Sequence, residues 1–286
     1  MQLTIASVNV NGIRAAARRG MSTWLQQCTP HILCLQEVRA EQAVTTDLLE
    51  DSFELIQMTG EAKGRAGVAI ASTFPLKELS ASAVESGTVE SGTVESGAAK
   101  SGSTVRRGFE TQGRLVLGEV ALPNGRPLVV GSAYVHTGEA SDPERMAEKL
   151  GFLDHINQVV SDQLAAGAEV IVAGDFNVAR DSRDIKNWKG NRGKSGFLPE
   201  EQERLSALCD LGMVDLGRAH AGDVDGPYTW WSWRGRAYDN DAGWRIDYLF
   251  ASEGLARHMM SCSVARAATY ASRFSDHCPV VATFDL

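Results

Sequence analysis

The 286-residue sequence predicts an α+β sandwich in which two packed sheets are flanked by helices, and three observations lead there. Strand-like runs come in pairs and clusters with helical stretches between them, without the regular strand–helix alternation of a doubly wound sheet. No glycine-rich phosphate loop follows a strand, which counts against the parallel alternative. No linker-like break divides the chain, so residues 1–286 read as one domain.

The elements follow in order. Leu3 to Val10 alternates and is rich in β-formers, a strand ending in Asn9-Val-Asn-Gly12. A helix is expected over Ile13 to Gln27, with Trp24 and Leu25 as core anchors. His31 to Val38 is a buried strand carrying Gln36 and Glu37 at its end, and Gly67 to Ser72 is a third, closed by Pro75. Arg114 to Leu122 and Leu128 to Val135 form a pair joined at Pro123-Asn-Gly125, the second running into Tyr134. Arg145 to Leu164 spaces Met146, Leu150, Leu153, Ile156, Val160 and Leu164 as one buried helical face, with His155 expected at the surface. Glu169 to Asn177 is an apolar strand that delivers Asp175 and Asn177 to the rim of the core. Pro199-Glu-Glu201 opens a helix that Gly212 closes. Tyr228 to Trp233, Arg245 to Ala251 and Pro279 to Leu286 are read as strands.

Residues 84–98 repeat Val-Glu-Ser-Gly-Thr, a composition that cannot bury an apolar face, so a surface insertion is expected at about 80–105. Apolar residues at 43% and charged residues at 22% fit a globular chain. No apolar run is long enough to span a bilayer, which excludes a membrane role, and the first residues lack a basic segment followed by an apolar one, so the cytoplasm is expected. Five cysteines without C-x-x-C spacing argue for buried free thiols over disulfides or a thiolate metal site. The formal charge of -8 does not advertise nucleic-acid binding. Basic residues nevertheless cluster at Arg180, Arg183, Lys186, Lys189, Arg192 and Lys194, and again at Arg14, Arg18 and Arg19.

Six oxygen or amide donors stand beside strand-like runs: Asn9, Glu37, Asp175, Asn177, Asp247 and Asp276. A lone acid at such a place usually caps a turn, but hard oxygen donors in this number select magnesium or manganese over zinc. Glu37 and Asp276 are the first ligand choices. His277 can donate to a phosphoryl oxygen or take a proton, with Asp247 to orient it; alternatively it caps the turn before Pro279. If the strand ends converge, they build a phosphodiester-cleaving metal site. Four of the six tryptophans, Trp230, Trp231, Trp233 and Trp244, lie within fifteen residues, and alternation assigns Trp231 and Trp233 to the core.

These segments resemble the exonuclease III family of apurinic/apyrimidinic (AP) endonucleases, within the endonuclease/exonuclease/phosphatase superfamily. Leu35-Gln-Glu37, Gly174-Asp-Phe-Asn177 and Ser275-Asp-His277 match motifs of the whole superfamily. Asn9-Val-Asn-Gly-Ile-Arg14, Asp184-Ile-Lys-Asn-Trp188, Gly196-Phe-Leu-Pro-Glu-Glu201, Tyr228-Thr-Trp-Trp231 and Gly243-Trp-Arg-Ile-Asp-Tyr248 resemble the AP endonuclease branch. The resemblance runs end to end except across the insertion.

It implies a four-layer α/β/β/α sandwich with mixed sheets and a Mg2+ cofactor, replaceable by Mn2+, on Glu37, with Asn9, Asp175, Asn177, Asp276 and His277 around it. By the same resemblance Tyr134 binds the phosphate, Asp175 positions or deprotonates the attacking water, and Asn177 holds water or phosphate. Asp247 then orients His277 against the scissile phosphate. Trp230, Trp244 and Ile246 would line a pocket for a base-free sugar, and Arg180 and Lys186 would contact phosphates. The implied activity is hydrolysis 5′ to abasic sites in duplex DNA during base excision repair, leaving a 3′-hydroxyl and a 5′-deoxyribose phosphate. A 3′-phosphodiesterase or 3′ to 5′ exonuclease activity on blocked 3′ ends would accompany it, in a monomer. One departure stands out: His136 occupies a position where the family usually has proline. The rival readings are a superfamily phosphatase or phosphodiesterase acting on inositol phosphates, lipids or RNA tails, and a non-catalytic DNA-binding scaffold.

Overall fold

The computed structural model describes residues 1–49, 52–62, 64–81, 109 and 111–286. Beyond residue 81, the expected insertion lies outside the described residues. In chain order the strands are β1 (Gln2–Asn9), β2 (Ile32–Gln36), β3 (Glu54–Met58), β4 (Val68–Ser72), β5 (Leu76–Leu79), β6 (Leu115–Ala121), β7 (Pro127–Tyr134), β8 (Glu169–Asp175), β9 (Met213–Asp215), β10 (Asp247–Ser252), β11 (Met259–Val264) and β12 (Val280–Asp285). The helices are α1 (Ile13–Arg18), α2 (Met21–Cys28), α3 (Gln42–Leu49), α4 (Pro143–Ala165), α5 (Trp188–Asn191), α6 (Pro199–Asp210), α7 (Leu216–Ala221) and α8 (Glu253–Ala256).

The strands make two six-stranded sheets, ordered β11-β12-β1-β2-β4-β3 and β5-β6-β7-β8-β10-β9. Both are mixed, because β1 pairs with β2 and β7 with β8 in parallel while the remaining pairs are antiparallel. Alternation along each strand fills the layers on either side. Ile5, Cys34 and Ile70 of one sheet meet Val130, Ile171 and Leu249 of the other between the sheets. The opposite faces carry Val172 and Phe250 against Phe152 and Ile156 of α4 and Leu205 of α6. On the other outer side, Val8 and Leu33 meet Ile13, Met21 and Leu49 of α1, α2 and α3. The result is the expected four-layer α/β/β/α sandwich.

Several local expectations change. The helix expected over Ile13 to Gln27 is broken at Gly20, whose φ of 103° lies in the left-handed region, and Trp24 and Leu25 are only partly buried. His155 is buried against Phe109 and Phe152, so the buried stripe of α4 is wider than its aliphatic residues indicate. Tyr228 to Trp233 is no strand. Trp230 alone bridges there, to Trp244 and His277, while Tyr228 and Trp231 pack into a separate cluster with Tyr238 and Cys278. Trp233, expected inside, is 36% exposed. All five cysteines are free thiols; Cys34, Cys262 and Cys278 are buried, and Cys28 and Cys209 half-buried. No helix among the described residues is long and apolar enough to cross a membrane.

Candidate active site

The site arises where the layer between the sheets turns from apolar to polar. Along β1 the inward positions read Leu3, Ile5, Ser7, Asn9; along β2, Ile32, Cys34, Gln36; along β7, Leu128, Val130, Ser132, Tyr134. On β8 they read Ile171, Ala173, Asp175, and antiparallel β10 begins with Asp247 before Leu249 and Ala251. Register places Tyr134 beside Asp175 and Asp175 beside Asp247, one polar rung across three strands. Gln36 and Ser132 join the two sheets beneath it by a 3.1 Å hydrogen bond. Gly174 is required here: its φ is 150°, and a Cβ would stand 1.9 Å from the carbonyl oxygen of Ala133.

Around that rung the remaining groups close in. The Asn9 side-chain amide donates to Glu37 at 2.8 Å and to Asp175 at 2.9 Å. Asn177 donates its backbone N–H to Asp175 at 2.9 Å, and its side-chain amide donates to Asp175 at 3.3 Å and the Val135 carbonyl at 3.0 Å. His277 Nδ1 lies 2.9 Å from Asp247, and its Nε2 lies 3.7 Å from Asp175. Thr229 donates its hydroxyl to Asp247 at 2.6 Å, fixing that carboxylate behind the imidazole. Asp276 accepts from Asn11 at 2.8 Å and from the Trp230 indole at 3.2 Å. Asn11, Glu37, Arg39 and Asn177 all have positive φ between 45° and 52°, a concentration of non-glycine left-handed residues of the kind found at functional sites.

The electrostatics set roles apart. Burial pushes the Asp175 carboxyl up to about 7, with His277 pulling it down and Asp247 and Glu37 pushing it further up. Burial opposes charge on His277, yet the Asp247 and Asp175 carboxylates more than offset this and raise it to about 10. Tyr134 is raised by burial, then by Glu37 and Asp175, so its phenol stays a neutral donor; Arg114 lies 4.8 Å over its ring. A cleft of about 390 Å³ opens onto these groups, walled by Trp230, Trp244 and Ile246. The two indoles meet edge to face at 6.3 Å.

One ligand atom each from Glu37, Asp175 and His277 lies within 4.8 Å of the others, close enough to share one cation. The two carboxylates suit a hard divalent metal. His277 faces the two carboxylates with Nε2, because Asp247 takes up its Nδ1.

Comparisons with known proteins place the chain in one family. The family model described as Endonuclease/Exonuclease/phosphatase family matches residues 6–277. The chain belongs to that family. An exodeoxyribonuclease of Bacillus subtilis is 31% identical over 283 residues, covering 97% of this chain and 98% of that protein. A DNA-(apurinic or apyrimidinic site) endonuclease of Dictyostelium discoideum is 26% identical, covering 100% of this chain and 71% of that one. Among solved structures, an AP endonuclease from Archaeoglobus fulgidus superposes with a TM-score of 0.80 at 26% identity, covering 99% of this chain and 100% of the other.

For this family member, the structure gathers Asn9, Glu37, Tyr134, Asp175, Asn177, Asp247, Asp276 and His277 at one cleft, with Trp230, Trp244 and Ile246 as its wall. Asp276, a first choice as ligand, stands outside the close trio and is held by Asn11 and Trp230. Arg180 is half-buried: it donates to Cys209 at 3.1 Å and pairs with Asp215 at 3.4 Å. Arg183 pairs with Asp181 and Asp223, which leaves Lys186, Lys189, Arg192 and Lys194 as the exposed cations of that stretch. Asn11, Arg39 and Thr229 were not singled out in the sequence. The signal for the first two was their place two residues after Asn9 and Glu37, where a strand end turns back on itself.

Proposed function

We propose that this nuclease is a magnesium-dependent AP endonuclease that hydrolyses the phosphodiester 5′ to an abasic site in duplex DNA. The observation that carries the reading is the juxtaposition of the Asp247, His277 and Asp175 side chains with an aromatic-walled cleft. A nucleotide without its base has lost stacking and pairing, so it costs less to extrude, and the Trp230, Trp244 and Ile246 wall would select it by size. The names of the Dictyostelium and Archaeoglobus relatives support the same substrate.

Asp175, held in place by the Asn9 and Asn177 amides, takes the proton of a water aimed at phosphorus. Protonated His277, held by Asp247, and the Tyr134 hydroxyl donate to the phosphoryl oxygens as negative charge builds there. Asn177 holds the water against Asp175. The water oxygen bonds to phosphorus as the P–O3′ bond breaks on the opposite side, and the leaving O3′ takes a proton from solvent, giving a 3′-hydroxyl and a 5′-deoxyribose phosphate. Glu37 and Asp175 would hold the cation, which when bound offsets charge on the phosphate. Manganese fits the same donors. The exposed cations near Lys186 would position the duplex without reading its sequence. A second reading, chiefly 3′ to 5′ exonuclease or 3′-phosphodiesterase action, is favoured by the name of the Bacillus subtilis relative.

The test is a labelled duplex with one tetrahydrofuran abasic analogue beside an undamaged duplex, with magnesium or EDTA. A single magnesium-dependent incision 5′ to the analogue supports the first reading. Shortening of both duplexes from their 3′ ends without incision supports the second, and no cleavage with any divalent metal removes both.

A further inference from the structure

Behind the cleft lies an ion pair that the reaction itself does not use. Lys149 of α4 and Glu201 of α6 are both fully buried, with Nζ 2.6 Å from the carboxylate. The ammonium also donates to the backbone carbonyls of Thr137 at 3.0 Å and Asn177 at 2.8 Å, so its three protons are all used. The carboxylate accepts from the backbone amides of Gly196 at 2.7 Å and Leu198 at 2.9 Å. Three segments from distant parts of the chain, after β7, after β8 and before α6, therefore meet at one pair of charges.

Each segment supplies part of the cleft. Thr137, Asn177, Ser195 and Gly196 all line it. Gly196 has a φ of 86°, and a Cβ there would come within 3.1 Å of both the Trp244 ring and the Asn177 carbonyl oxygen. Its own carbonyl accepts from Ala179 at 2.8 Å. The backbone of Gly196 is thus the spacer between the residue that holds the water and the wall that selects the sugar.

We propose that Lys149 and Glu201 are positioning residues that fix Asn177 and the Gly196–Trp244 wall relative to one another. Stability alone does not call for charges here, because an apolar pair of similar volume often serves a buried site as well. What an apolar pair cannot do is bind two carbonyls and two amides from three loops in one fixed geometry. The assignment rests on the cleft being the reaction site proposed above.

The test uses the full chain carrying Glu201→Gln and, separately, Lys149→Met/Glu201→Leu, which removes both charges while keeping comparable volume. Cleavage of the tetrahydrofuran duplex gives kcat and KM. Amide hydrogen exchange at Ala179 and Gly196 reports the coupling of the loops whether or not that duplex is a substrate. The expected result is folded protein, faster exchange at both amides, KM little changed, and kcat lowered roughly 10- to 100-fold, the scale of an ångström-sized misplacement. Wild-type kcat with unchanged exchange overturns the proposal, as does a loss confined to KM. Failure of both variants to fold also overturns it, making the pair a requirement of folding. If the wild-type chain leaves the duplex uncut, the proposed reaction fails on its own, while the exchange rates still decide the coupling: faster supports it, unchanged sinks it.

Discussion

Two clusters of buried acids flank the segment around Ile246, and they are built on opposite principles. In the frame, Asp184 accepts from Arg245 at 2.7 and 2.9 Å and is also paired with Arg218, while Asp215 accepts from Arg245 at two 2.9 Å contacts and from Arg180. Every carboxylate there faces two guanidinium groups. In the site, the partners of Asp175 among the described residues are amides and the His277 imidazole, with Asp247 and Glu37 adding negative charge beside it. The same residue type is therefore a rivet in one place and, in the reaction proposed above, a base in the other. The difference lies in how fully its charge is answered.

The largest test of that contrast removes the unanswered charge. Asp175→Asn keeps the acceptor for the Asn177 amide but cannot take a proton, so incision should fall about 10²- to 10⁴-fold, the usual contribution of a positioned base. The thermal midpoint should hold or rise, because a buried and crowded charge has been removed. Incision kinetics and calorimetry on the same preparation check both halves; a large drop in midpoint would place Asp175 with the frame instead.

Arg245→Met should do the reverse. It strands two buried carboxylates, and breaking such a network costs about 3–5 kcal/mol. Urea unfolding should show that loss, with activity per folded molecule retained to a larger degree than in Asp175→Asn. A midpoint close to wild type would show that Arg218 and Arg180 satisfy the two acids unaided.

How much of this was legible follows the same division. The central strands β1, β2, β4, β6, β7, β8, β10 and β12 announce themselves because burial on both faces, or clean alternation, leaves a strong apolar signal. The four strands not foreseen, β3, β5, β9 and β11, are the edges of the two sheets. Edge strands are short and half solvated: Glu54–Met58 and Leu76–Leu79 contain no fully buried residue, so no alternation marks them. In the site, the donors could be read as strand ends, but the rung joining Tyr134, Asp175 and Asp247 is a matter of register. Register depends on pairing between segments that lie far apart in the chain, β7 with β8 and β8 with β10, which no local window contains. The pairing of Arg180 with Asp215 was hidden for a related reason: a charge run looks alike whether its partners lie in solvent or in another strand.

A smaller effect sharpens the contrast at the wall. Trp244→Ala keeps the charges of both clusters and removes the ring that Gly196 abuts. Discrimination between the abasic analogue and an intact nucleotide should shrink by about 10- to 100-fold, in line with the 1–3 kcal/mol that shape alone commands in an apolar pocket. Competition between the two duplexes reads this directly, and undiminished discrimination would move the selecting surface elsewhere.

The smallest effect concerns the counterpart of His277. His136 is half-buried, and its surroundings act in the opposite direction: loss of hydration, then the nearby Arg114 and Lys149 charges, depress it to about 3. Its Nε2 lies 3.1 Å from Glu148, and its Nδ1 has no partner among the described residues. The folded chain therefore keeps this ring neutral, while the unfolded chain protonates it below its ordinary value of 6.5. Its contribution to stability is complete above that pH and is lost as pH falls from there toward 3. His136→Gln retains an N–H for Glu148 and cannot titrate, so one pH unit below the ordinary histidine value the wild-type chain should lose about 1 kcal/mol more than the variant. Urea unfolding of both proteins across that window isolates the histidine, since every other acid and base is common to the two. Parallel curves would mean that His136 takes up a proton in place, with the Glu148 carboxylate answering its charge as Asp247 answers that of His277.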